Sequence, residues 1–141
     1  MKIFYTDGSA EPNPGPGGWA IIDASIKKPV KLGFAKKTTN IRMEGTALIN
    51  AIKLADQESA EIYTDSKFWI DTITKWAPAW KTQNWHKKSG EIKNLDLVKE
   101  LYELYQTHDV ELVWVKGHTD IELNELADQY AKKARAVGLT K

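Results

Sequence analysis

Four acidic residues occupy positions where a carboxylate could take part in chemistry. Asp7 lies late in a first predicted strand, Glu44 near the start of a predicted helix, Asp65 at the end of a later strand and Asp128 at the margin of the last helix. Taken singly, each has a structural explanation: a turn at Asp7, a favourable charge near a helix N-terminus at Glu44, an N-cap at Asp65 and a solvated side chain at Asp128. Taken together, they could form one cluster.

Such a cluster would require cations. Two like charges about 4 Å apart repel by roughly 1 kcal/mol in bulk water and by roughly 4 kcal/mol at an effective dielectric near 20. The chain contains no cysteine and three histidines, so its hard oxygen ligands favour Mg²⁺, with Mn²⁺ as a substitute. Two ions about 3.5–4 Å apart would hold the attacking water and the leaving oxygen of a phosphodiester, so we predict phosphodiester hydrolysis.

The length and composition indicate one domain spanning residues 1–141. With 20 Lys plus Arg against 19 Asp plus Glu, no field of the whole molecule attracts a polyanion, so any nucleic-acid surface must be local. The absence of cysteine excludes disulfides, thiolate metal sites and a cysteine nucleophile. Because we find no signal-like apolar region and no apolar span of about 18 residues, we expect a cytoplasmic protein with no membrane partner. We also expect a monomer with no small-molecule cofactor.

The predicted elements alternate strands and helices. Residues 2–7 have a period of two, which predicts a strand with Ile3, Tyr5 and Asp7 on its inward face. Turn residues at 11–18 separate it from further strands predicted at 19–22, 30–35, 61–64 and 111–115. Helices are predicted at 42–56, with Asn40 as a candidate cap, from Asp65-Ser66 towards Trp76, where Pro78 ends or bends the helix, and at 95–105 and 122–137. This order predicts one mixed sheet with helices packed against it.

The segment from Trp76 to Lys93 combines aromatic and basic residues with a single acid, Glu91. Lysines make sequence-independent phosphate contacts, and aromatic faces can rest on sugars or bases. Alternatively, the tryptophans pack between helices and the lysines are only solvated; for the tryptophans alone we weigh the two readings equally. The candidate contacts in this segment are Trp76, Trp80, Trp85, Lys81, Lys87 and Lys88.

Six segments in order, at matching spacing, resemble the bacterial-type ribonuclease HI family over essentially the whole chain. They are Tyr5-Thr-Asp-Gly-Ser9, Asn13-Pro-Gly-Pro-Gly-Gly18, Thr38-Thr-Asn-Ile-Arg-Met-Glu44, Thr64-Asp-Ser66, Val115-Lys-Gly-His118 and Asn124-Glu-Leu-Ala-Asp128. The resemblance implies an α/β fold of the RNase H type, with a central five-stranded mixed sheet whose first three strands are antiparallel, flanked by helices. It also implies that the metal-binding carboxylates are Asp7, Glu44, Asp65 and Asp128.

The same resemblance implies an endoribonuclease that hydrolyses the RNA strand of an RNA–DNA hybrid with two Mg²⁺ ions, leaving 3′-hydroxyl and 5′-phosphate ends. His118 would assist proton transfer or product release, and residues 76–93 would form a basic protrusion that binds the hybrid, with Trp76 as the preferred contact to the DNA strand. Asn13 and Asn40 would contact the minor groove, where the 2′-OH distinguishes RNA. Thr39 would line a pocket for a DNA phosphate.

Three residues depart from the family pattern. Ile41 stands where a second amide is usual, and Lys67 stands where Gln is frequent, so hybrid affinity or preference should be altered. Gly45 replaces a larger apolar residue directly after Glu44. Since glycine inside a helix costs about 1 kcal/mol relative to alanine, we expect it to loosen the helix beside a metal ligand.

Other functions fit the sequence less well. The glycine-rich stretch Gly15–Gly18 lacks the Gly-Lys-Ser/Thr ending of a nucleotide-binding loop and precedes a predicted strand. A resolvase-like or integrase-like DNA nuclease would share the fold, but the basic protrusion and the pair Asn13 and Asn40 argue against it. A non-catalytic hybrid-binding module is disfavoured because all four acids are present.

Overall fold

The computed structural model describes residues 1–87, 90–116 and 122–139. Five strands form one sheet in the order β3-β2-β1-β4-β5. The strands β1, β2 and β3 are antiparallel, while β4 runs parallel to β1 and β5 runs parallel to β4. Their bounds are β1 Lys2–Ala10, β2 Gly15–Asp23, β3 Lys28–Thr38, β4 Ala60–Thr64 and β5 Val110–Trp114. The predicted mixed sheet, with its first three strands antiparallel, is confirmed.

The helices match the predicted order with longer bounds. They are α1 Asn40–Ala55, α2 Lys67–Asp71, α3 Ala77–Thr82, α4 Leu95–Thr107 and α5 Glu122–Leu139. Thr39, not Asn40, caps α1, because its side chain accepts a hydrogen bond from the Arg42 N–H at 3.1 Å. Among these described helices, none combines the length and the apolar character that crossing a lipid bilayer requires.

The helix predicted to run towards Trp76 does not end at Pro78. It continues past Pro78, and it is irregular just before it. After α2, a π-helical turn at Thr72–Trp76 leads directly into α3, which reaches Thr82. Pro78 lies in the first turn of α3. Backbone N–H groups in a first helical turn generally lack partners inside their own helix, so the missing proline N–H is tolerated there.

The two faces of β1 are the reverse of the prediction along most of its length. Phe4 and Thr6 are fully buried, whereas Ile3 and Tyr5 are half-buried. Phe4 joins the core formed with α1 and α4, while the opposite face carries Tyr5 stacked on Tyr63 of β4. Asp7 is nevertheless buried, because α5 covers that face at the carboxyl end of β1.

Glycines bring the two long helices close to opposite faces of the sheet. A Cβ at Gly8 of β1 would collide with the backbone of Met43 and Glu44 in α1. A Cβ at Gly18 of β2 would collide with the backbone of α5. Because neither position carries a side chain, both helices lie directly against the strands beside Asp7.

Candidate active site at the carboxyl ends of β1 and β4

The four candidate acids come from four elements that meet at one edge of the sheet. Asp7 lies in β1, and Asp65 follows the last residue of the parallel neighbour β4. Carboxyl ends of parallel strands are where open α/β sheets place their ligands. Glu44 lies early in α1, which rests on Gly8, and Asp128 lies in α5 on the other face.

Asp7 has the most perturbed carboxyl group of the site. It is 7% exposed, and its pKa is raised to about 9, first by burial, then by the charge of Asp65 and by a side-chain hydrogen bond with Asp128. A hydrogen bond from the Gly8 backbone acts in the opposite direction. At neutral pH this carboxyl therefore carries a proton in the protein alone, as expected of acids that share one crevice.

Glu44 is perturbed in the same direction. Burial and the charge of Asp65 raise its pKa to about 7, against a hydrogen bond from the Ser66 side chain that lowers it. The site therefore contains three electrostatic links, Asp7 to Asp65, Asp7 to Asp128 and Glu44 to Asp65. All four predicted acids belong to one coupled network.

A cation of α5 adjoins this network. Lys132 pairs with Asp128 at 3.1 Å, one helical turn away. The pair is partly exposed, so its own contribution to stability is small. It nevertheless supplies positive charge beside a cluster of acids.

The donor chemistry of the site fits a hard divalent cation, because every candidate ligand is a carboxylate oxygen. Within residues 1–87, 90–116 and 122–139, no three acidic or histidine side chains already surround one point as metal ligands. Burial is the first cause of the raised pKa of Asp7, and the charge of Asp65 raises it further, because ionised carboxyl groups repel one another. A divalent cation would relieve this repulsion.

A cleft beside the acids adds polar residues of α5. It is lined by Asp65, Asn124, Glu125, Asp128 and Gln129. Asn124 is buried. It belongs to the segment Asn124-Glu-Leu-Ala-Asp128 but was not among the predicted site residues. Its position one helical turn before Asp128 is the signal that could have identified it, because such residues share a helix face.

Asn13 and Asn40, predicted to contact the groove, lie beside Thr39, which is predicted to line a phosphate pocket. The Asn40 side-chain oxygen accepts the Ala10 N–H at 2.6 Å, and the Asn13 side-chain oxygen accepts the Asn40 N–H at 3.1 Å. The Thr39 hydroxyl caps α1. Their oxygens thus bind the backbone, which fixes the side chains in place.

Residues of the predicted basic protrusion line two grooves. Trp76, Trp80 and Lys87 line the first together with Phe68, Asp71 and Thr72. Lys81 and Trp85 line the second, against α4, where the Trp85 ring packs edge-on against Tyr102 at a centroid distance of 6.1 Å. The tryptophans of this segment therefore differ in their surroundings.

Other predicted residues can be placed only in part. His118 and Lys88 lie outside the described residues. Lys67 is exposed, and its Nζ lies 5.9 Å from the centroid of the Trp114 ring. Ile41 is 36% exposed, and its carbonyl accepts a hydrogen bond from the buried Trp69.

Gly45 packs against a tryptophan of another helix. Its missing side chain makes room for the indole ring of Trp69, since a Cβ there would lie 2.6 Å from Trp69 Cζ2. Trp69 is fully buried. The ring of Trp69 therefore fills the space that a side chain at position 45 would take, a contact that helix propensity alone does not include.

Comparisons with known proteins agree with this architecture. The family model described as RNase H matches residues 1–136. A ribonuclease H of Methylobacillus flagellatus is 46% identical over 133 residues, covering 92% of this chain and 88% of that protein. A ribonuclease H of Methylorubrum extorquens is 39% identical over 98% of this chain, which spans 61% of that longer protein.

Solved structures show the same fold. The solution structure of the prototype foamy virus RNase H domain has a TM-score of 0.78 at 26% identity, covering 96% of this chain and 94% of that one. LC11-RNase H1, solved in complex with an RNA/DNA hybrid, has a TM-score of 0.69 at 21% identity, covering 99% of both chains. From its sequence, its sheet order and these relatives, the chain belongs to the RNase H family of nucleases.

Proposed function

We propose that this protein is an endoribonuclease that hydrolyses the RNA strand of RNA–DNA hybrids with the help of two Mg²⁺ ions, Mn²⁺ being a substitute. The observation that carries the proposal is the coupled network of Asp7, Glu44, Asp65 and Asp128 at the carboxyl ends of β1 and β4. The relatives named ribonuclease H support the reaction class. The hybrid bound to LC11-RNase H1 supports the substrate class.

The central ligands in this proposal are Asp7 and Asp65, with Glu44 holding one ion and Asp128 the other. Bound Mg²⁺ ions would supply Lewis-acid activation of the attacking water and stabilise the charge on the leaving oxygen. Because Asp7 and Glu44 have raised pKa values, they must release protons before they can act as ligands. The chain therefore links metal affinity to pH through its own carboxyl groups.

Cleavage would leave a 3′-hydroxyl and a 5′-phosphate. His118 is proposed to assist proton transfer or product release, on the basis of the matching segment Val115-Lys-Gly-His118. An imidazole beside a metal site would affect the rate between about pH 5 and pH 8. Replacing His118 with alanine should therefore slow turnover without abolishing it.

Two groups of residues would contact the hybrid. Asn13 and Asn40, fixed by their backbone hydrogen bonds, would contact the minor groove, and Thr39 would adjoin a DNA phosphate. Trp76, Trp80 and Lys87 share a groove in which an aromatic face can meet a sugar or base. Lys81 and Trp85 lie on the second groove. Lys81 and Lys88 are kept as proposed contacts, whereas Trp85, which packs against Tyr102, is proposed to stabilise the protrusion instead of contacting the hybrid.

We also retain three predictions about the whole molecule. Residues 1–141 are proposed to act as one domain, as a monomer, in the cytoplasm. A single unfolding transition would support one domain, sedimentation tests the monomer, and cell fractionation tests the location.

The decisive experiment offers labelled RNA–DNA hybrid, duplex RNA, single-stranded RNA and duplex DNA side by side, with Mg²⁺ and with chelator. We expect Mg²⁺-dependent cutting of the RNA strand of the hybrid alone, with 5′-phosphate ends. The matched control is Asp7→Asn, which keeps the size of the side chain. Cutting of duplex DNA would indicate a DNA nuclease, and hybrid binding without cutting would indicate a non-catalytic module.

A further inference from the structure

The ring of Trp69 in α2 packs directly against α1. Its ring lies against Gly45, where an added Cβ would come within 2.6 Å of Cζ2 and 2.7 Å of Cε2. Trp69 is fully buried. Gly45 directly follows Glu44, so the indole presses on the helix beside a proposed metal ligand.

Two hydrogen bonds strengthen this contact. The Trp69 Nε1–H donates to the Ile41 carbonyl in the first turn of α1 at 2.7 Å. At the start of α2, the Ser66 hydroxyl accepts the Trp69 N–H at 3.3 Å and also bonds to the side chain of Glu44. Ser66 follows Asp65 in the chain, so the two ligand-bearing segments are joined at three points.

Gly45 and Ser66 are adjacent to the proposed ligands Glu44 and Asp65, and Ile41 lies one helical turn before Glu44. Asp65 follows a strand and Glu44 lies on a helix, so contacts between the two segments contribute to their separation. The indole holds α2 against α1, and interiors packed in this way resist small displacements. The ring is therefore one of the contacts on which the separation of the two carboxyl groups depends.

We infer that Trp69, seated on Gly45, is a positioning residue that sets the separation of Glu44 and Asp65 and so the affinity of the site for a divalent cation. The inference rests on the proposed function, since it assigns Glu44 and Asp65 as ligands. It also explains the glycine after Glu44, because a larger residue there would displace the ring.

A second tryptophan provides a matched control. Trp19 of β2 is also buried, and its ring occupies the space that a Cβ at Gly33 of β3 would need. That contact joins two strands and no ligand-bearing segment. Trp19→Phe and Trp69→Phe thus remove the same atoms from two tryptophan–glycine contacts.

The test measures Mg²⁺ binding without substrate, as the Mg²⁺-induced rise in Tm, and with substrate, as the Mg²⁺ concentration for half-maximal cleavage. We expect Trp69→Phe to raise the Mg²⁺ midpoint by about 10-fold, as changes behind metal ligands typically do, and to leave the KM for hybrid within about twofold. Trp19→Phe should lower Tm but leave the Mg²⁺ midpoint unchanged. Equal Mg²⁺ midpoints in the two variants would overturn the positioning role.

Gly45→Ala covers the case in which Trp69→Phe does not fold, because it displaces the ring from the α1 side and should also weaken Mg²⁺ binding. Where Trp69→Phe folds, the double variant gives the methyl group room and should recover part of the affinity lost in Gly45→Ala. A Gly45→Ala variant with wild-type Mg²⁺ affinity would refute the inference. If the wild-type chain neither responds to Mg²⁺ nor cuts hybrid, the proposed function fails instead.

Discussion

The side chains of Asp7 and Asp128 are joined by a hydrogen bond between β1 and α5. Burial, the charge of Asp65 and this bond raise the pKa of Asp7 to about 9, which favours its protonated form. Lys132 compensates part of the charge of Asp128 from the next turn of α5. In the proposed function, a divalent cation replaces the proton of Asp7.

The first prediction concerns stability against pH in chelator. The pKa of Asp7 rises on folding from an ordinary value of 3.8 to about 9, and that of Glu44 from 4.5 to about 7. Between these limits the folded chain binds more protons than the unfolded chain, so the free energy of unfolding falls as pH rises from about 4 to about 9. Each group contributes a slope of at most about 1.4 kcal/mol per pH unit.

Urea denaturation at several pH values measures this slope. Saturating Mg²⁺ should reduce it, because the cation replaces the protons. A chelated protein whose stability increases between pH 6 and pH 8 would show that these carboxyl groups are not coupled as described.

The second prediction separates the catalytic role of Asp7 from its effect on stability. Asp7→Asn removes the buried ionisable group while it keeps the shape of the side chain. In chelator at pH 8 the variant should be at least as stable as wild type, and its advantage should grow with pH. Its cleavage rate should fall by more than about 100-fold, a larger loss than replacing a residue that only supports a metal ligand typically causes.

The two readouts check each other. Calorimetry in chelator gives the stability, and a single-turnover hybrid assay gives the rate. Wild-type cleavage by Asp7→Asn would remove Asp7 from the mechanism, even if the stability behaved as expected.

The sequence predicted the acid cluster because the signals were local. Asp7 and Asp65 both follow runs of strand-forming residues, and parallel neighbours place the ends of such runs together. The period of two in β1 gave the strand but not its buried face, since the choice between Phe4 and Tyr5 depends on which helix covers which side. That choice is made by α1, which packs over Gly8.

Other features depended on contacts that no local pattern encodes. Beyond the π-helical turn at Thr72–Trp76, Trp76 and Trp80 line one groove, whereas Lys81 and Trp85 line another. Gly45 was expected to weaken α1 because helix propensity takes no account of packing by Trp69, which belongs to another helix.

The third prediction uses this contrast between propensity and packing at Gly45. Helix propensity alone predicts that Gly45→Ala stabilises the protein by about 1 kcal/mol. The ring of Trp69 occupies the space of the new methyl group, so we expect a destabilisation of about 1–3 kcal/mol instead. Urea denaturation decides the sign, and a stabilised Gly45→Ala variant would contradict the packing described above.

The fourth prediction concerns Ser66, which caps α2 and bonds to Glu44. Ser66→Ala should cost about 1 kcal/mol of stability as a lost cap. It should also raise the pKa of Glu44 further, because the lost hydrogen bond favours the ionised form. Mg²⁺ binding should therefore require a higher pH, and the acid limb of the Mg²⁺ affinity profile should shift upward.

Titration calorimetry with Mg²⁺ between pH 6 and pH 9 measures this shift. Ser66→Thr is the control, since it retains a hydroxyl at the same position and should keep the wild-type profile. An unchanged profile in Ser66→Ala would show that the hydroxyl serves α2 alone.

The fifth prediction distinguishes two tryptophans that the sequence placed in one patch. Trp76 is 54% exposed and lines a groove with Lys87, whereas Trp85 packs against Tyr102 with Lys99 above its ring at 5.8 Å. Trp76→Ala should raise the KM for hybrid by about 10-fold, since stacking of one base on an aromatic ring is worth about 1–3 kcal/mol. Its Tm should change little.

Trp85→Ala should behave in the opposite way, because its ring stabilises the contact between the protrusion and α4. We expect a loss of about 1–3 kcal/mol in the free energy of unfolding, with the KM of the folded fraction near that of wild type. Steady-state kinetics on hybrid and urea denaturation of both variants provide the four numbers. If Trp85→Ala raised KM as much as Trp76→Ala, both grooves would have to contact the hybrid, and the second groove would belong to the substrate surface.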